Sequence, residues 1–379
     1  MGGLLHKILH INSLIMMLCI FSTCVMATLI FSSLLWILTI DVVVASGCME
    51  VERNALLTLK SGLVDPQNLL SSWEGEDCCK WWGVVCSNTT GHVVKLNLRN
   101  RNSYEIVFEE CPCLSGEINP SLLLLSNLEH LDLSMNNFSG TSIPAFLGSF
   151  ENLRYLNLSY AHFSGKLPPQ IGNLSKLHYL DLSFDFTFSG NTLRIDDILW
   201  LTRLSSLKYL DLSRMNLNTS TGWLHVVNML PSLKVLHLAD CSLPGISTSL
   251  SHFNLTTLDV LDLGDLSSIG FGGEIMEWVE MLPRCVRNNL QSLYLGYNNL
   301  KGNLSGWLEH MDSLTDTDLG FCVDALYVLT IGSQPTGRLL RRSGVTVKGR
   351  ASVPAGTASE SAMRVKMGVH HDGPSSLIA

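Results

Sequence analysis

One pattern recurs through the middle of this chain and limits what it can become: Leu-x-x-Leu-x-Leu followed by a turn. It reads Leu128-Glu-His-Leu131-Asp-Leu133-Ser-Met-Asn136, then Leu153-Arg-Tyr-Leu156-Asn-Leu158-Ser-Tyr-Ala161. Further copies place Leu180, Leu210, Leu236, Leu261 and Leu293 at the same point of the pattern. A weaker copy opens at Val93-Val-Lys-Leu96-Asn-Leu98, and a decayed one closes at Leu314-Thr-Asp-Thr317-Asp-Leu319. Leu131 and Leu156 are 25 residues apart, Leu156 and Leu180 are 24, and Leu210 and Leu236 are 26. Two intervals are stretched, 30 residues from Leu180 to Leu210 and 32 from Leu261 to Leu293.

Such a period with Leu-x-x-Leu-x-Leu-x-x-Asn is the signature of leucine-rich repeats. Each Leu-x-Leu is a short strand whose leucines point one way and whose intervening residues point the other. No single coil can bury its own leucines, so coils stack and the strands line up as a parallel sheet. The expected fold is therefore an α/β solenoid: a curved leucine-rich-repeat arc with a parallel β-sheet on its concave face. Asn136 and Asn298 stand where a side chain turns inward to satisfy the backbone of the bend, with Cys241 and Cys322 as substitutes. Ala161, Asp185, Met215 and Leu266 break that ladder. Two or three amphipathic helices would not produce the Leu-x-Leu spacing or the fixed turn offsets.

Ahead of the repeats, Leu14 to Ile40 is almost wholly apolar, with Lys7 before it and small residues beyond. Residues 1–47 read as a secretory signal, cleaved after Ala45 or Gly47. The stretch is also long enough to span a bilayer, so an uncleaved signal-anchor is the second reading. Translation from Met26 would leave a signal of ordinary length. The small residues running into Cys48 favour cleavage. Cys48, Cys78, Cys79 and Cys86 cluster directly behind, which in a secreted chain means disulfides. The spacing alone leaves three connectivities open. A zinc site is disfavoured by the adjacent Cys78-Cys79 pair and the lack of paired histidines.

Phe163-Ser-Gly165-Lys-Leu167-Pro168-Pro-Gln-Ile171-Gly172-Asn173-Leu174 resembles the plant subtype of the repeat, and Phe138-Ser-Gly140 leading to Ile143-Pro144 is a second copy. Glu52 to Lys60, Leu70-Ser-Ser-Trp73, Asp77-Cys78-Cys79, Trp82-Gly83-Val84, Cys86 and Thr90-Gly91-His92 resemble that family's amino-terminal cap. Cys113-Leu-Ser-Gly-Glu117-Ile-Asn-Pro120 and Gly222-Trp223 through Leu233 resemble plant leucine-rich-repeat receptor-like proteins of the fungal-xylanase-receptor type, in their amino-terminal portion. The resemblance implies pairings Cys48–Cys78 and Cys79–Cys86. It implies a cap over 48–91, about nine repeats over 92–322, and an extracellular ectodomain that recognises a peptide or protein elicitor in defence. It also implies a co-receptor kinase as partner, and a carboxy-terminal membrane span in the family. Residues 323–379 change character, with Arg338, Arg341, Arg342, Lys348, Arg350, Arg364 and Lys366 among Gly, Ser, Pro and Val. That stretch is expected to be a disordered, unrelated tail on a truncated ectodomain, with fraying of the last coils. The expected location is the secretory pathway, then the apoplast or the outer face of the plasma membrane.

Asn-x-Ser/Thr acceptors stand at Asn88, Asn137, Asn157, Asn173, Asn218, Asn254 and Asn303. Outward strand positions form rows across the coils. The first holds Tyr155, Tyr179 and Tyr209; the second Asp132, Asn157, Asp181, Asp211, His237 and Asp262. The third holds Met135, Tyr160, Phe184, Arg214, Asp240 and Tyr297. The aspartates belong mainly to the repeat consensus. Candidate contact residues are Tyr155, Tyr160, Tyr179, Phe184, Tyr209, Arg214, His237 and Asp240, with the aromatic and charged third row favoured.

The formal charge of −8 gives no basic face for nucleic acid. Catalysis is not expected, nor any cofactor or metal. Gly270-Phe-Gly272-Gly273 is not set in a strand-to-helix unit, no kinase motifs occur, and His370-His371-Asp372 lies in the tail. A soluble wall protein that inhibits pathogen enzymes, of the polygalacturonase-inhibitor type, is the alternative. It would normally close with a cysteine cap, and no cysteine follows Cys322. A membrane-tethered decoy held by the amino-terminal anchor is a third reading.

Overall fold

A computed structural model of the chain describes residues 47–101, 112–184, 193–243, 255–266, 272–274, 282–301, 311–318 and 346–348, apart from single positions 139, 221, 242, 283 and 312. The expected signal over 1–47, except Gly47, and the expected tail over 323–379, except 346–348, lie outside the described residues.

The leucine spacing folds as the repeat demands. Helix α1 (Glu50–Gly62) opens the cap, burying Ala55, Leu56 and Leu59, with Glu50 and Glu52 in its first turn and Lys60 in its last, as the helix dipole favours. Strand β1 (Val84–Cys86) pairs antiparallel with β2 (Val93–Asn97). Then β3 (His130–Asp132), β4 (Tyr155–Asn157), β5 (Tyr179–Asp181), β6 (Tyr209–Asp211), β7 (Val235–His237), β8 (Val260–Asp262), β9 (Ser292–Tyr294) and β10 (Asp316–Asp318) add in sequence order, all parallel. The register matches leucine to leucine: Leu96, Leu131, Leu156, Leu180, Leu210, Leu236, Leu261 and Leu293 face one another coil by coil. All are buried. Among the described residues the coil strands are β2–β10.

On the opposite side coils return through short 3₁₀ turns at Pro120–Leu124, Ala145–Ser149, Pro169–Asn173 and Leu199–Arg203, and through short α-helices at Trp223–Asn228 and Arg284–Asn289. These turns stack closely enough to require glycine. A β-carbon at Gly148 would lie 2.1 Å from the Gln170 carbonyl oxygen, and one at Gly172 would lie 2.6 Å from that of Trp200. Phe138 and Phe163 stack at 4.9 Å and form a spine between sheet and turns.

The inward polar ladder holds where the sequence places it. Asn136 Nδ2 donates to the carbonyls of Leu98 and Leu133 at 2.8 and 2.9 Å, Asn298 does the same to Leu263 and Leu295, and the Cys241 thiol donates to Leu212. Ala161, Met215 and Leu266 fill the break points as apolar, buried residues. Asp185 and Cys322 lie outside the described residues.

The cap is stapled by Cys48–Cys78 and Cys79–Cys86, with Cα separations of 5.2 and 5.4 Å, inside the ordinary disulfide range. The sulfurs a zinc ion would need are consumed in these bonds. Glu52 is buried and accepts from the backbone N–H of Val93 at 2.8 Å, beside His92 Nδ1 at 3.0 Å. This single carboxylate ties the cap helix to the first coil.

One expectation needs correction. Thr346–Lys348, part of the stretch expected to be disordered, forms β11 and pairs parallel with β10. Val345-Thr-Val-Lys348 has strong β-propensity. The open edge of β10 offers it a row of unpaired backbone groups.

Candidate functional site

The outward face of the sheet carries the candidate residues in three rows, and each row has a different character. In the first, the rings of His130, Tyr155, Tyr179 and Tyr209 stack face to face, with centroids 3.9, 4.2 and 4.2 Å apart and planes within 12°. Parallel strands repeat every ~4.8 Å. Residues held in register at that spacing have no room for any arrangement but a column. At the next coil the row holds Val235, and the Tyr209 ring turns instead to His237 of the second row, 5.6 Å away and tilted by 49°. Five rings thus cross five consecutive coils. The four stacked residues and His237 are half-buried.

Burial sets the electrostatics of this column. His130 is driven down to about 3, first by desolvation and then by Lys95. Tyr155 is pushed up to about 12 by desolvation and the charge of Asp132. Tyr179 and Tyr209 are raised further, by desolvation and then by Asp181 and Asp211 respectively. All four rings therefore stay neutral across the physiological range.

The second row is structural. Asp132 Oδ1 accepts from the Ser134 N–H and hydroxyl at 3.0 and 2.6 Å, and Asp181 does the same with Ser183 at 3.0 and 2.8 Å. Asp211 and Asp262 accept from the N–H two residues on. Asn157 copies the arrangement: its Oδ1 takes Ser159 N–H and hydroxyl at 2.9 and 2.7 Å, and its Nδ2 donates to the Tyr155 hydroxyl at 3.3 Å. These are turns closed by a side chain at the strand end. Desolvation and the nearby Asp211 raise Asp181 to about 7, against the opposing Ser183 bonds. His237 is raised despite its burial, by its 3.2 Å contact with Asp262 and the charges of Asp211, Asp262 and Asp181.

Asp181 yields a pH prediction. Its folded-state pKa lies above the unfolded one, so its contribution to stability is complete below about pH 4 and is lost as pH rises through about 7. Asp181→Asn should keep the Ser183 and Tyr179 contacts, as Asn157 shows one coil earlier. We expect the variant to melt roughly 5 °C higher than the parent at slightly alkaline pH, with the gain vanishing by about pH 4. Thermal melts across that range check it, and a variant less stable than the parent at alkaline pH would contradict it.

The third row sits where the chain leaves the strand. Met135, Tyr160, Arg214, Asp240 and Tyr297 all adopt left-handed backbone, with φ of 60°, 52°, 65°, 54° and 60°. This region is unfavourable for residues other than glycine. The turn is held by bonds to the next coil, such as Tyr160 N–H to Ser183 O and Arg214 N–H to Ala239 O. Arg214 and Asp240 face each other at 3.8 Å. Phe184 corrects the sequence reading: its ring is buried, edge-on to His162 at 6.4 Å. The repeat expands immediately after Phe184, so it takes no left-handed turn and its ring tucks in rather than facing out.

Asn157 is a second correction. As an acceptor of N-linked sugar it would need a free Nδ2, yet it is 3% exposed and committed to Ser159 and Tyr155. Asn88, Asn173 and Asn218 are exposed and Asn137 is half-buried; Asn254 and Asn303 lie outside the described residues. Glycopeptide mass spectrometry on the protein secreted from plant cells is expected to find sugar at Asn88, Asn173 and Asn218 and none at Asn157. A glycan on Asn157 would contradict this geometry.

The leading ring, His130, was missed as a member of the first row because the row was read by its tyrosines. Its place immediately before Leu131 carries the signal. No helix among the described residues is long and apolar enough to cross a membrane.

The chain is similar to several known proteins. The leucine rich repeat N-terminal domain family matches residues 49–87, and the Leucine Rich Repeat family matches 127–149, 152–174 and 289–311. Receptor-like protein EIX1 of Solanum lycopersicum is 39% identical over 282 residues, 70% of this chain and 26% of the relative. Receptor-like protein Cf-9 of Solanum pimpinellifolium is 32% identical over 246 residues, 64% of this chain and 26% of its own length. The chain thus spans about a quarter of these relatives. Among solved structures, the Arabidopsis receptor kinase HAESA ectodomain, in complex with a peptide hormone, aligns over 71% of this chain and 37% of its own, with 24% identity and a TM-score of 0.42. The BIR2 ectodomain from Arabidopsis thaliana aligns over 54% of this chain at 24% identity, with a TM-score of 0.39. The chain belongs with the plant leucine-rich-repeat receptor-like proteins, whose amino-terminal cap and repeats it carries.

Proposed function

We propose that this chain is an extracellular recognition module, an ectodomain that holds a peptide or protein elicitor on the outward face of its sheet and serves plant defence by presenting it to a co-receptor kinase. The observation that carries the reading is the aromatic column from His130 to His237, five half-buried rings across consecutive coils. Apolar and polar contact on one rigid surface is what recognition uses, and aromatic residues dominate such contacts. The disulfide-stapled cap suits an oxidising, extracellular setting. Similarity to EIX1 and Cf-9, both receptor-like proteins by name, supports the receptor and defence role. Nothing in this reading calls for a cofactor or catalytic chemistry; Asp132, Asp181, Asp211 and Asp262 close turns, and Asp240 pairs with Arg214.

Selection of a random peptide library on the secreted chain tests the reading. Enriched peptides should lose binding to Tyr179→Ala and keep it to Leu199→Ala, whose side chain is 57% exposed on the opposite turn. Failure to enrich any peptide, or equal binding to both variants, would count against it.

A further inference from the structure

Beside the aromatic column runs a rim that neither the repeat pattern nor the fold requires. The residue preceding each first-row position (His130, Tyr155, Tyr179, Tyr209, Val235 and Val260) is Glu129, Arg154, His178, Lys208, Lys234 and Asp259 in successive coils. Their backbones form one ladder: Arg154 N–H donates to Glu129 O, His178 to Arg154, Lys208 to His178, Lys234 to Lys208 and Asp259 to Lys234, at 2.7–2.8 Å. Four basic side chains therefore stand side by side on a chain whose formal charge is −8. We propose that this rim is the docking track for an acidic peptide segment laid across the strands, with the tyrosine column as its wall. The proposal deepens the recognition reading above and rests on it.

Charge complementarity sets the ligand's character. The two ends of the track are internally paired, Arg154 with Glu129 at 3.4 Å and Lys234 with Asp259 at 3.8 Å. The middle is not: among the described residues no carboxylate pairs with Lys208, and His178 Nδ1 is buried without a hydrogen-bond partner. Desolvation depresses His178, and the charges of Lys208 and Arg154 add to it. An incoming carboxylate would take the Lys208 ammonium and offset the positive charges that flank His178. Like-charged residues adjacent in a sheet are destabilising unless something offsets them.

The column then chooses between an acidic peptide and an acidic sugar chain. Tyr155 and Tyr179 are each stacked on both faces, so the middle of the column leaves no open aromatic face for a sugar ring. The Tyr155, Tyr179 and Tyr209 hydroxyls turn to Asn157, Asp181 and Asp211. What faces outward is ring edge, which suits the flank of an extended peptide. The carboxylates of the second row are no obstacle, because the column separates them from the rim and Asp132 and Asp181 are buried. Arg154 to Lys234 spans three strand spacings, roughly 14 Å, or about four extended residues. A stretch with two or three carboxylates in that length would fill it.

The test is fluorescence anisotropy with a labelled short peptide of alternating glutamate and glycine, its glutamine counterpart, and an oligogalacturonate as the competing anion. The secreted chain should bind the glutamate peptide in a salt-dependent way and ignore the glutamine one. Lys208→Glu should weaken binding about tenfold and Lys208→Gln less. Arg203→Glu, the same charge change on the opposite turn, should leave it intact. Equal loss in Lys208→Glu and Arg203→Glu, tighter binding of the oligogalacturonate, or no binding of the glutamate peptide would each overturn the proposal. Library peptides that depend on Tyr179 but are indifferent to Lys208→Glu would also overturn it, while leaving recognition by the sheet face standing. If no library peptide depends on Tyr179, the recognition reading itself fails.

Discussion

Trp73→Ala is expected to lower stability by about 3–5 kcal/mol, the cost of removing a fully buried indole. Trp73 is 1% exposed, stacks on Trp81 at 5.5 Å and donates its Nε1 proton to the Trp82 carbonyl at 2.8 Å. Trp81 repeats the arrangement, donating to the Glu74 carbonyl. The two indoles fill the cap between α1 and the disulfides. A solenoid's end would otherwise expose its leucine core. Losing one ring should therefore loosen the cap and the first coil together. Denaturant titration with the disulfides intact measures it, and a loss below about 1 kcal/mol would mean the cap draws its stability from the disulfides alone.

The second large effect lies in the middle of the stack. Leu180→Ala should cost about 2–5 kcal/mol, because Leu180 is fully buried between Leu156 and Leu210, which are equally buried. Each coil contacts only its neighbours, so the damage should spread to the coils of Leu156 and Leu210 and fade beyond them. Hydrogen exchange would show this as faster exchange in 155–158 and 209–212, with the cap unchanged. The internal comparison is Leu199→Ala on the exposed turn, expected to stay within about 0.5 kcal/mol. Equal effects at Leu180 and Leu199 would contradict the assignment of sheet and turn faces.

The leucines made the fold legible because their spacing has one physical solution: strands that stack at fixed separation with one face shared. Asn136 and Asn298 were legible for the same reason, since a buried bend needs a donor at a fixed offset. What could not be read is where neighbouring side chains go once they are stacked. Tyr155, Tyr179 and Tyr209 share one register row, but that their faces close on one another follows only from the stacking of the coils. Asn157 looked outward by parity and is outward; its burial comes from Ser159 and the Tyr155 ring, which a one-dimensional pattern does not contain. Phe184 failed because the expansion after it removes the turn that points its equivalents outward. The basic rim was present in plain sight as Leu-Arg-Tyr, Leu-His-Tyr, Leu-Lys-Tyr and Leu-Lys-Val. It went unread because the residue after the first leucine is not assigned to either face by alternation. Thr346–Lys348 shows the same limit at long range: its β-propensity is local, but nothing local names β10 as its partner.

The central claim is that the outward face of the sheet is the surface that meets a ligand. Hydrogen exchange of the secreted chain, free and saturated with a library-selected peptide, tests it most directly. Slowed exchange confined to 154–157, 178–181, 208–211 and 234–237, the strands beneath the column and the rim, is expected. Protection confined instead to the turns 145–149, 169–173 and 199–203 would place recognition on the opposite side and contradict it.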